Sequence, residues 1–310
     1  MLINTHGRIR NNLYYLGLTE CPIYLLDVPE PVIFDAGVSC AGNIYVEAIR
    51  SILGDRQPST LFLTHAHWDH CGSVSHLKDA FPNMKVAASN LSVEILKRPN
   101  ALALIKKLNE DITTGMSSLP GLDSSLITYE PFGIFEIDIE LKDNQFLDLG
   151  EGTTVEILAT PGHTQDHYSY YLPNEKILIA GEAAGVYYGH GVVSTEFVSD
   201  YDAYVSSLQR LATLPVEVFC QGHYSHLVGR EKISAFFKQS INETIRFKDR
   251  VLELLEEEAG SVERVIKRLK TERYDVIQGP KQPEVTYLLN LKAQVAHLAA
   301  KQRQSGIFPA

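Results

Sequence analysis

The sequence predicts an α/β fold, of the mixed α+β kind, for residues 1–228, and a helical region over residues 229–310. Three observations support this prediction. Short apolar runs bounded by glycine, proline or polar residues, such as residues 61–63 and 155–158, indicate buried strands. Between them, apolar residues at helical spacing, as in residues 44–53, indicate helices. Beyond residue 228 the apolar residues recur at about every fourth position, which is typical of amphipathic helices.

The size and charge of the chain restrict the classes of protein to which it can belong. At 310 residues and 45% apolar content, it is long enough for one large domain with a substantial core. A formal charge of −10, without any lysine- and arginine-rich run, argues against nucleic acid or an anionic membrane as the main partner. A homo-oligomer remains compatible with the sequence. We expect a cytoplasmic protein, since neither a signal peptide nor an apolar run of membrane-spanning length is present.

The segment of residues 64–72, THAHWDHCG, contains three imidazoles and one carboxylate directly after an apolar run. Those four side chains belong to His65, His67, Asp69 and His70. In a loop that follows a strand, alternating side chains can converge on one point. Neutral imidazole and carboxylate are ligands of zinc, iron and manganese, and the lack of cysteine among the four positions argues against a closed structural zinc site. The segment therefore predicts a catalytic metal site that takes further ligands from elsewhere.

Three later strand ends each place one possible ligand beside a glycine. His163 lies in a Pro-Gly-His turn, Glu182 follows Gly181, and His223 follows Gly222. The same local context at three separated strand ends indicates that these residues belong to one site with the first segment.

Taken together, these motifs resemble the metallo-β-lactamase superfamily over most of residues 1–228. The resemblance implies a four-layer αββα sandwich with two divalent metal ions at one edge of the sheets. It implies that one ion is held by His65, His67 and His163, and that the other is held by Asp69, His70 and His223. It also makes residues 1–228 the catalytic domain and residues 229–310 a helical extension that packs on it or caps it.

One position departs from the family pattern, because Glu182 stands where the family usually has a bridging Asp. The change keeps the charge and the oxygen ligands but adds one methylene of reach. Glu182 is therefore expected to bind one metal ion or both, and a role outside the ligand set remains an alternative.

Within the superfamily, the chain is similar in outline to the glyoxalase II-like thioesterases, including the quinolone-signal response thioesterases. The likeness lies in His70-Cys71-Gly72, Asp166-His167, a helical insertion near residues 94–110 and the helical C-terminus. Other subtypes fit less well. His67 stands where the flavodiiron oxidoreductases have Glu, and the lactonases have Tyr where this chain has Gly185.

This resemblance leads to a prediction of hydrolysis by a metal-bound hydroxide, in which Asp69 and Glu182 take part in the chemistry. A thiolate leaving group needs little protonation and the motifs contain no dedicated general acid, so a thioester or activated ester is the expected acyl substrate. Zinc is the expected metal, with iron or manganese as alternatives. A di-iron oxidoreductase, a lactonase and a regulatory or binding protein with residual hydrolase activity remain alternative functions.

Several other polar residues are expected to lie outside the ligand set. Asp35 is predicted to be a turn carboxylate, with a role as acceptor for a ligating imidazole as the alternative. His167 is predicted to pack beside the site or to support it. The four cysteines are expected to be reduced thiols, and Cys71 is not expected to be a ligand. The remaining histidines named here are predicted to be surface or loop residues: His76, His190, His226 and His297.

Overall fold

The computed structural model of the protein describes residues 2–3, 7–116, 124–189, 191–279 and 281–304. Its strands, in chain order, are β1 (Leu2–Ile3), β2 (Gly7–Arg10), β3 (Leu13–Gly17), β4 (Pro22–Leu26), β5 (Val32–Phe34), β6 (Thr60–Phe62), β7 (Lys85–Ser89), β8 (Ile139–Leu141), β9 (Phe146–Asp148), β10 (Thr154–Ala159), β11 (Tyr168–Leu172), β12 (Ile177–Gly181), β13 (Val186–Gly189), β14 (Val192–Ser194), β15 (Val218–Gln221) and β16 (His226–Val228). Its helices are α1 (Gly42–Leu53), α2 (Val74–Ala80), α3 (Asn90–Leu96), α4 (Pro99–Met116), α5 (Tyr201–Ala212), α6 (Arg230–Glu257), α7 (Val262–Leu269) and α8 (Glu284–Gln304). Short 3-10 turns at Ser39–Ala41 and Ser124–Leu126 and a π-helical turn at Lys270–Tyr274 complete the elements.

The chain forms two compact units. The first contains residues 1–159, 166–181 and 216–228, and with them both large sheets. The second contains residues 160–165, 182–215 and 229–310, and with them the β13–β14 hairpin and helices α5 to α8.

The first unit has two seven-stranded sheets whose strand ends define the candidate site. The first sheet has the order β2-β3-β4-β5-β6-β7-β8, and the second has the order β1-β16-β15-β12-β11-β10-β9. In the first sheet β5 and β6 are parallel, with Phe34 opposite Phe62. In the second sheet β12 and β15 are parallel, with Gly181 opposite Gln221. Parallel neighbours end at the same edge, so each pair delivers the residues that follow it side by side.

An apolar core fills the space between the two sheets. The rings of Phe34 and Phe62 stack with centroids 5.5 Å apart, and the ring of Tyr170 lies 5.2 Å from that of Phe62. The Tyr170 hydroxyl donates to the carbonyl of Leu63, which ties the second sheet to the start of the histidine-rich segment. A second core lies on the other face of the first sheet, where helices cover it through residues such as Ile49, Leu77 and Ile105. The predicted fold class, with its C-terminal helical region, is confirmed.

Helix α6 packs within the second unit through a face that includes four residues of the predicted stripe, Ile233, Phe237, Val251 and Leu255. Ser240 Oγ donates to the carbonyl of Ala184 at 2.6 Å, and Thr244 Oγ1 donates to Thr195 Oγ1 at 2.9 Å. The recurrence of apolar residues at positions 233, 237, 241 and 245 predicts that Ile245 is buried as well, but its side chain is 40% exposed. A strict every-fourth-residue stripe rotates by about 40° per step on a helix of 3.6 residues per turn, so it leaves the buried face after a few steps.

Two strand predictions were wrong in extent. The apolar sequence of residues 12–26 predicts one strand, but these residues form the hairpin of β3 and β4, in which Gly17 pairs with Pro22. The alternation in residues 134–141 predicts one strand, but only Ile139–Leu141 forms β8. Just before it, the Asp138 side chain instead of a backbone carbonyl accepts from Val86 N. Among the described residues, no helix has both the length and the apolarity needed to cross a membrane.

Candidate metal centre

The histidine-rich segment leaves β6 and gathers its imidazoles around His65. The ring centroid of His65 lies 4.5 Å from that of His67 and 4.3 Å from that of His70. His65 and His70 are buried, whereas His67 and Asp69 are partly exposed. The segment therefore offers its ligand atoms partly from the interior and partly from the surface of the first unit.

Asp35 follows β5 and holds two of these imidazoles. Its Oδ2 lies 2.9 Å from His70 Nδ1, and its carboxylate accepts from the Thr64 hydroxyl at 2.9 and 3.0 Å. Since the hydroxyl proton goes to the carboxylate, Thr64 Oγ1 accepts from His65 Nδ1 at 3.0 Å. One buried carboxylate thus orients His70 directly and His65 through Thr64. The prediction that Asp35 is only a turn carboxylate was wrong, because its left-handed backbone (φ 62°) turns the side chain toward the imidazoles.

His223 lies just beyond β15 and faces the same segment. Its Nδ1 donates to the carbonyl of Glu20 at 2.6 Å, and its ring centroid lies 5.2 Å from that of His70. His223 Nε2 lies 3.7 Å from Asp69 Oδ2. The structure thus brings together five of the seven predicted ligands within the first unit: His65, His67, Asp69, His70 and His223.

The other two predicted ligands belong to the second unit, where both side chains are buried. His163 Nδ1 donates to the carbonyl of Glu196 at 2.5 Å. Tyr204 Oη donates to the carbonyl of Glu182 at 3.2 Å and accepts from Glu196 N at 3.2 Å. Burial raises the pKa of Tyr204, so this hydroxyl remains protonated and keeps the two glutamate backbones linked.

The acceptors at Nδ1 decide which ring nitrogen of each histidine can bind a metal. A carbonyl or a carboxylate can only accept, so Nδ1 carries the proton in His70, His163 and His223. The Thr64 hydroxyl requires the same tautomer of His65. In a neutral imidazole with a protonated Nδ1, the lone pair lies on Nε2. These four histidines therefore have the tautomer of Nε2 ligands, and nitrogen and oxygen donors of this kind fit a divalent transition metal.

His167 and Asp166 support the segment from the second sheet. The His167 ring stacks on that of His65 with a centroid separation of 5.0 Å and an interplanar angle of 27°. Asp166 Oδ2 accepts from Ala66 N at 2.9 Å and from Ser92 Oγ at 2.7 Å. A Cβ at Gly181 would lie 2.6 Å from His167 Nε2, so a residue with a side chain does not fit there. The stacking thus places His167 against the ring of His65.

One residue near these side chains, the half-buried Cys21, was not singled out by the sequence. Its sulfur, a carboxylate oxygen of Asp69 and a ring nitrogen of His223 all lie within 4.8 Å of one another. Burial raises the pKa of the Cys21 thiol above its ordinary value, and the hydrogen bond to His223 offsets only part of this rise. The only local signal was a cysteine before a proline, which by itself predicts no ligand.

The histidines predicted to lie on the surface or in loops have different environments. His226 is buried on β16, where burial lowers its pKa to about 4, so that prediction was wrong. The edge of its strand is covered by β1, which a local pattern does not reveal. His76 is partly exposed on α2, and His297 on α8 accepts from Tyr201 N at 3.1 Å. His190 lies outside the described residues.

Residues 17–223 match the sequence model of the family described as the metallo-beta-lactamase superfamily. The chain belongs to this superfamily. With the tautomers and carboxylates described above, it carries side-chain clusters able to bind divalent metal ions.

Three relatives of known name are similar to parts of the chain. The Beta-lactamase-like protein 2 homolog of Caenorhabditis elegans is 26% identical, and the match covers 68% of this chain and 55% of that protein. The Atrochrysone carboxyl ACP thioesterase of Aspergillus fumigatus is 27% identical over 53% of this chain and 38% of its own length. The Hydroxyacylglutathione hydrolase GloC of Haemophilus influenzae is 30% identical over 60% of this chain and 78% of its own length. The chain thus spans about half or less of the first two relatives.

Solved structures share the fold. A beta-lactamase domain protein from Burkholderia ambifaria aligns with a TM-score of 0.68 and 14% identity, over 98% of this chain and 89% of that one. An archaeal metallo-beta-lactamase superfamily protein from Sulfolobus tokodaii aligns with a TM-score of 0.56 and 21% identity, over 95% and 99% of the two chains. At these identities the likeness extends to the fold alone.

Proposed function

We propose that the chain is a metal-dependent hydrolase that cleaves a thioester or an activated ester of a small acyl substrate. The observation that carries the proposal is the buried Asp35 carboxylate, which holds His70 directly and His65 through Thr64 with Nε2 as the ligand nitrogen. Relatives named as a thioesterase and as a hydroxyacylglutathione hydrolase support the substrate class.

The proposed ligand set follows the family pattern. His65, His67 and His163 form one metal position, and Asp69, His70 and His223 form the other. Glu182, which directly follows Gly181 in the chain, contributes a carboxylate oxygen to one position or to both. Two divalent ions bound there would activate a water molecule at neutral pH and polarise the acyl carbonyl.

The residues of the chain position and select the reactants. Asp69, partly exposed beside His223, accepts a hydrogen bond from the attacking water and orients it toward the acyl carbon. His167 and Thr64 keep the His65 ring from rotating. A thiolate leaves without a proton from the protein, which makes a thioester the best match for this set of residues.

A cavity in the second unit is proposed to hold the remote part of the acyl substrate. It has a volume of about 390 Å³ and is lined by apolar and polar side chains, among them Phe247, Ile277 and Tyr287. Thr195, another lining residue, precedes Glu196, whose carbonyl accepts from His163. The volume falls within the usual range for small-molecule sites, and the lining suits a chain with a few polar groups.

Metal analysis combined with a substrate panel tests the proposal. The intact protein should contain up to two transition-metal ions and hydrolyse thioesters faster than lactones or amides. His67→Ala should lose most of one ion and nearly all hydrolysis, whereas the matched control His76→Ala, at a residue hydrogen-bonded to Asn43, should lose neither. Full metal content and full hydrolysis in His67→Ala would contradict the proposal.

A further inference from the structure

Three consecutive backbone carbonyls fix the turn between β3 and β4 at the position of Cys21. The carbonyl of Thr19 accepts from Tyr224 N at 2.7 Å, and that of Glu20 accepts from His223 Nδ1 at 2.6 Å. The carbonyl of Cys21 accepts from Tyr45 Oη at 2.7 Å. These bonds join the turn to the chain around His223, so the thiol and the imidazole keep a fixed spacing.

The Cys21 sulfur then lies beside two of the proposed metal ligands. Its Sγ, an Asp69 carboxylate oxygen and a His223 ring nitrogen are mutually within 4.8 Å. Ligands bound tetrahedrally to zinc at about 2.0–2.3 Å from the metal are separated from one another by roughly 3.3–3.8 Å. His223 Nε2 and Asp69 Oδ2, which are 3.7 Å apart, already have such a separation, and the Cys21 sulfur needs to approach them by about 1 Å at most.

The other three cysteines have surroundings of a different kind. Cys40, Cys71 and Cys220 are fully buried and belong to the two apolar cores. Among the four, Cys21 alone is grouped with Asp69 and His223.

We propose that Cys21 is a sulfur ligand of the metal ion that Asp69 and His223 hold, an inference that rests on the proposed function. On binding, the Sγ–H bond breaks, the proton passes to solvent, and Sγ forms a bond to the metal. A thiolate in the ligand set favours zinc and cobalt over manganese and magnesium, which prefer oxygen donors. This metal position therefore differs from one built only of imidazole and carboxylate.

Cobalt substitution tests the inference by a readout independent of activity. The full-length protein is loaded with Co²⁺ and its absorption spectrum is recorded, since a thiolate bound to Co²⁺ gives an intense charge-transfer band in the near ultraviolet. We expect the band in the parent protein and in the matched control Cys71→Ala, and its loss in Cys21→Ala.

The outcomes separate this inference from the proposed function. If the protein binds Co²⁺ without the band, or if the band persists in Cys21→Ala, sulfur ligation is overturned and the proposed function stands. If the protein binds no transition metal, both are overturned. Should Cys21→Ala fail to fold, alkylation of Cys21 in the parent protein decides the question. Zinc should protect the thiol, and equal labelling with and without zinc would overturn the inference.

Discussion

Asp35 Oδ2 and His70 Nδ1 lie 2.9 Å apart in the interior of the first unit, and the same carboxylate reaches His65 through Thr64. Two imidazoles of the candidate site thus depend on one residue that contributes no ligand atom. Removal of the Asp35 carboxylate should therefore weaken metal binding, because two imidazoles would lose their orientation.

We expect Asp35→Asn to weaken zinc binding by about 10- to 100-fold. The amide NH₂ group of Asn would place a donor opposite the Nδ1–H of His70, so the hydrogen bond would be lost. Asn tolerates the left-handed backbone that Asp35 adopts at φ 62°, so the fold should be kept. Competition titration with a chelating dye measures the affinity. Asp138→Asn, at a carboxylate bonded to Lys78 and Val86 N, is the matched control and should bind zinc like the parent. Equal affinities in both variants would show that Asp35 does not orient the ligands.

Glu182→Gln should lower the content of one metal ion, because it removes a negative charge from a buried side chain while nearly keeping its shape. Glu182→Asp keeps the charge and should retain both ions. Elemental analysis after gel filtration reports the content, with Glu217→Gln at a partly exposed carboxylate as control. If Glu182→Gln and Glu182→Ala both bind two ions as tightly as the parent, the carboxylate is not a ligand.

The buried His226 should make the protein less stable in mild acid. Its pKa is about 4 in the folded chain and 6.5 ordinarily, so the unfolded chain takes up the proton first as the pH falls. The contribution of neutral His226 to the free energy of unfolding is fully present above its ordinary pKa of 6.5. It is lost as the pH drops toward 4, and the loss is about 2 kcal/mol at pH ~5.

Urea unfolding of the metal-free parent and of His226→Phe at about pH 8 and pH 5 measures this contribution. The variant should lose less free energy of unfolding between the two pH values, because the phenyl ring beside Tyr15 carries no titratable group. Identical losses in the two proteins would refute the assignment to His226.

A chain ending at residue 228 should aggregate. Helices α6 and α8 donate hydrogen bonds to the segment of residues 182–215. Thr244 Oγ1 donates to Thr195 Oγ1, and Gln294 Nε2 donates to the carbonyl of Thr195. Their removal would expose apolar side chains such as Phe197, which packs against Phe247. Light scattering and hydrolysis assays check this. A soluble truncated chain with unchanged kinetics would mean that residues 229–310 form an independent module.

Ile277→Trp should raise the KM for long acyl thioesters several-fold and leave kcat nearly unchanged, since the larger side chain fills part of the cavity that Ile277 lines. Short acyl thioesters should be affected less. A panel of chain lengths measured on Ile277→Trp and on the conservative control Ile277→Val makes the comparison. Equal effects at every length would place the acyl chain elsewhere.

Local patterns in the sequence were enough to select the candidate ligands. Strand ends followed by His65, His163 or His223 were recognisable because glycine and polar residues interrupt apolar runs. The partners behind them were not recognisable. Asp35 reaches two imidazoles because of a left-handed backbone, and Cys21 meets Asp69 only through the hairpin turn, so both depend on contacts between distant parts of the chain.

The same distinction explains the misplaced side chains. Ile245 has the spacing of a buried residue, but the helix rotates it away from the packed face. The sequence around His226 indicates a loop or surface position, yet strand β1 pairs with β16 and covers that edge of the sheet. Local periodicity predicts the element, and only the tertiary contacts decide which side chain it buries.

The stacked rings of Phe34 and Phe62 pack against Tyr170, which the ribosome adds to the chain about 100 residues after Phe62. The last strand of the first sheet ends at Leu141, and β11 of the second sheet, which carries Tyr170, ends at Leu172, about 30 residues later. At roughly 5–20 residues per second of synthesis, this gap lasts about 1.5–6 s. During that interval each nascent chain carries an uncovered apolar sheet face, which chaperones and neighbouring nascent chains can bind before the candidate site exists.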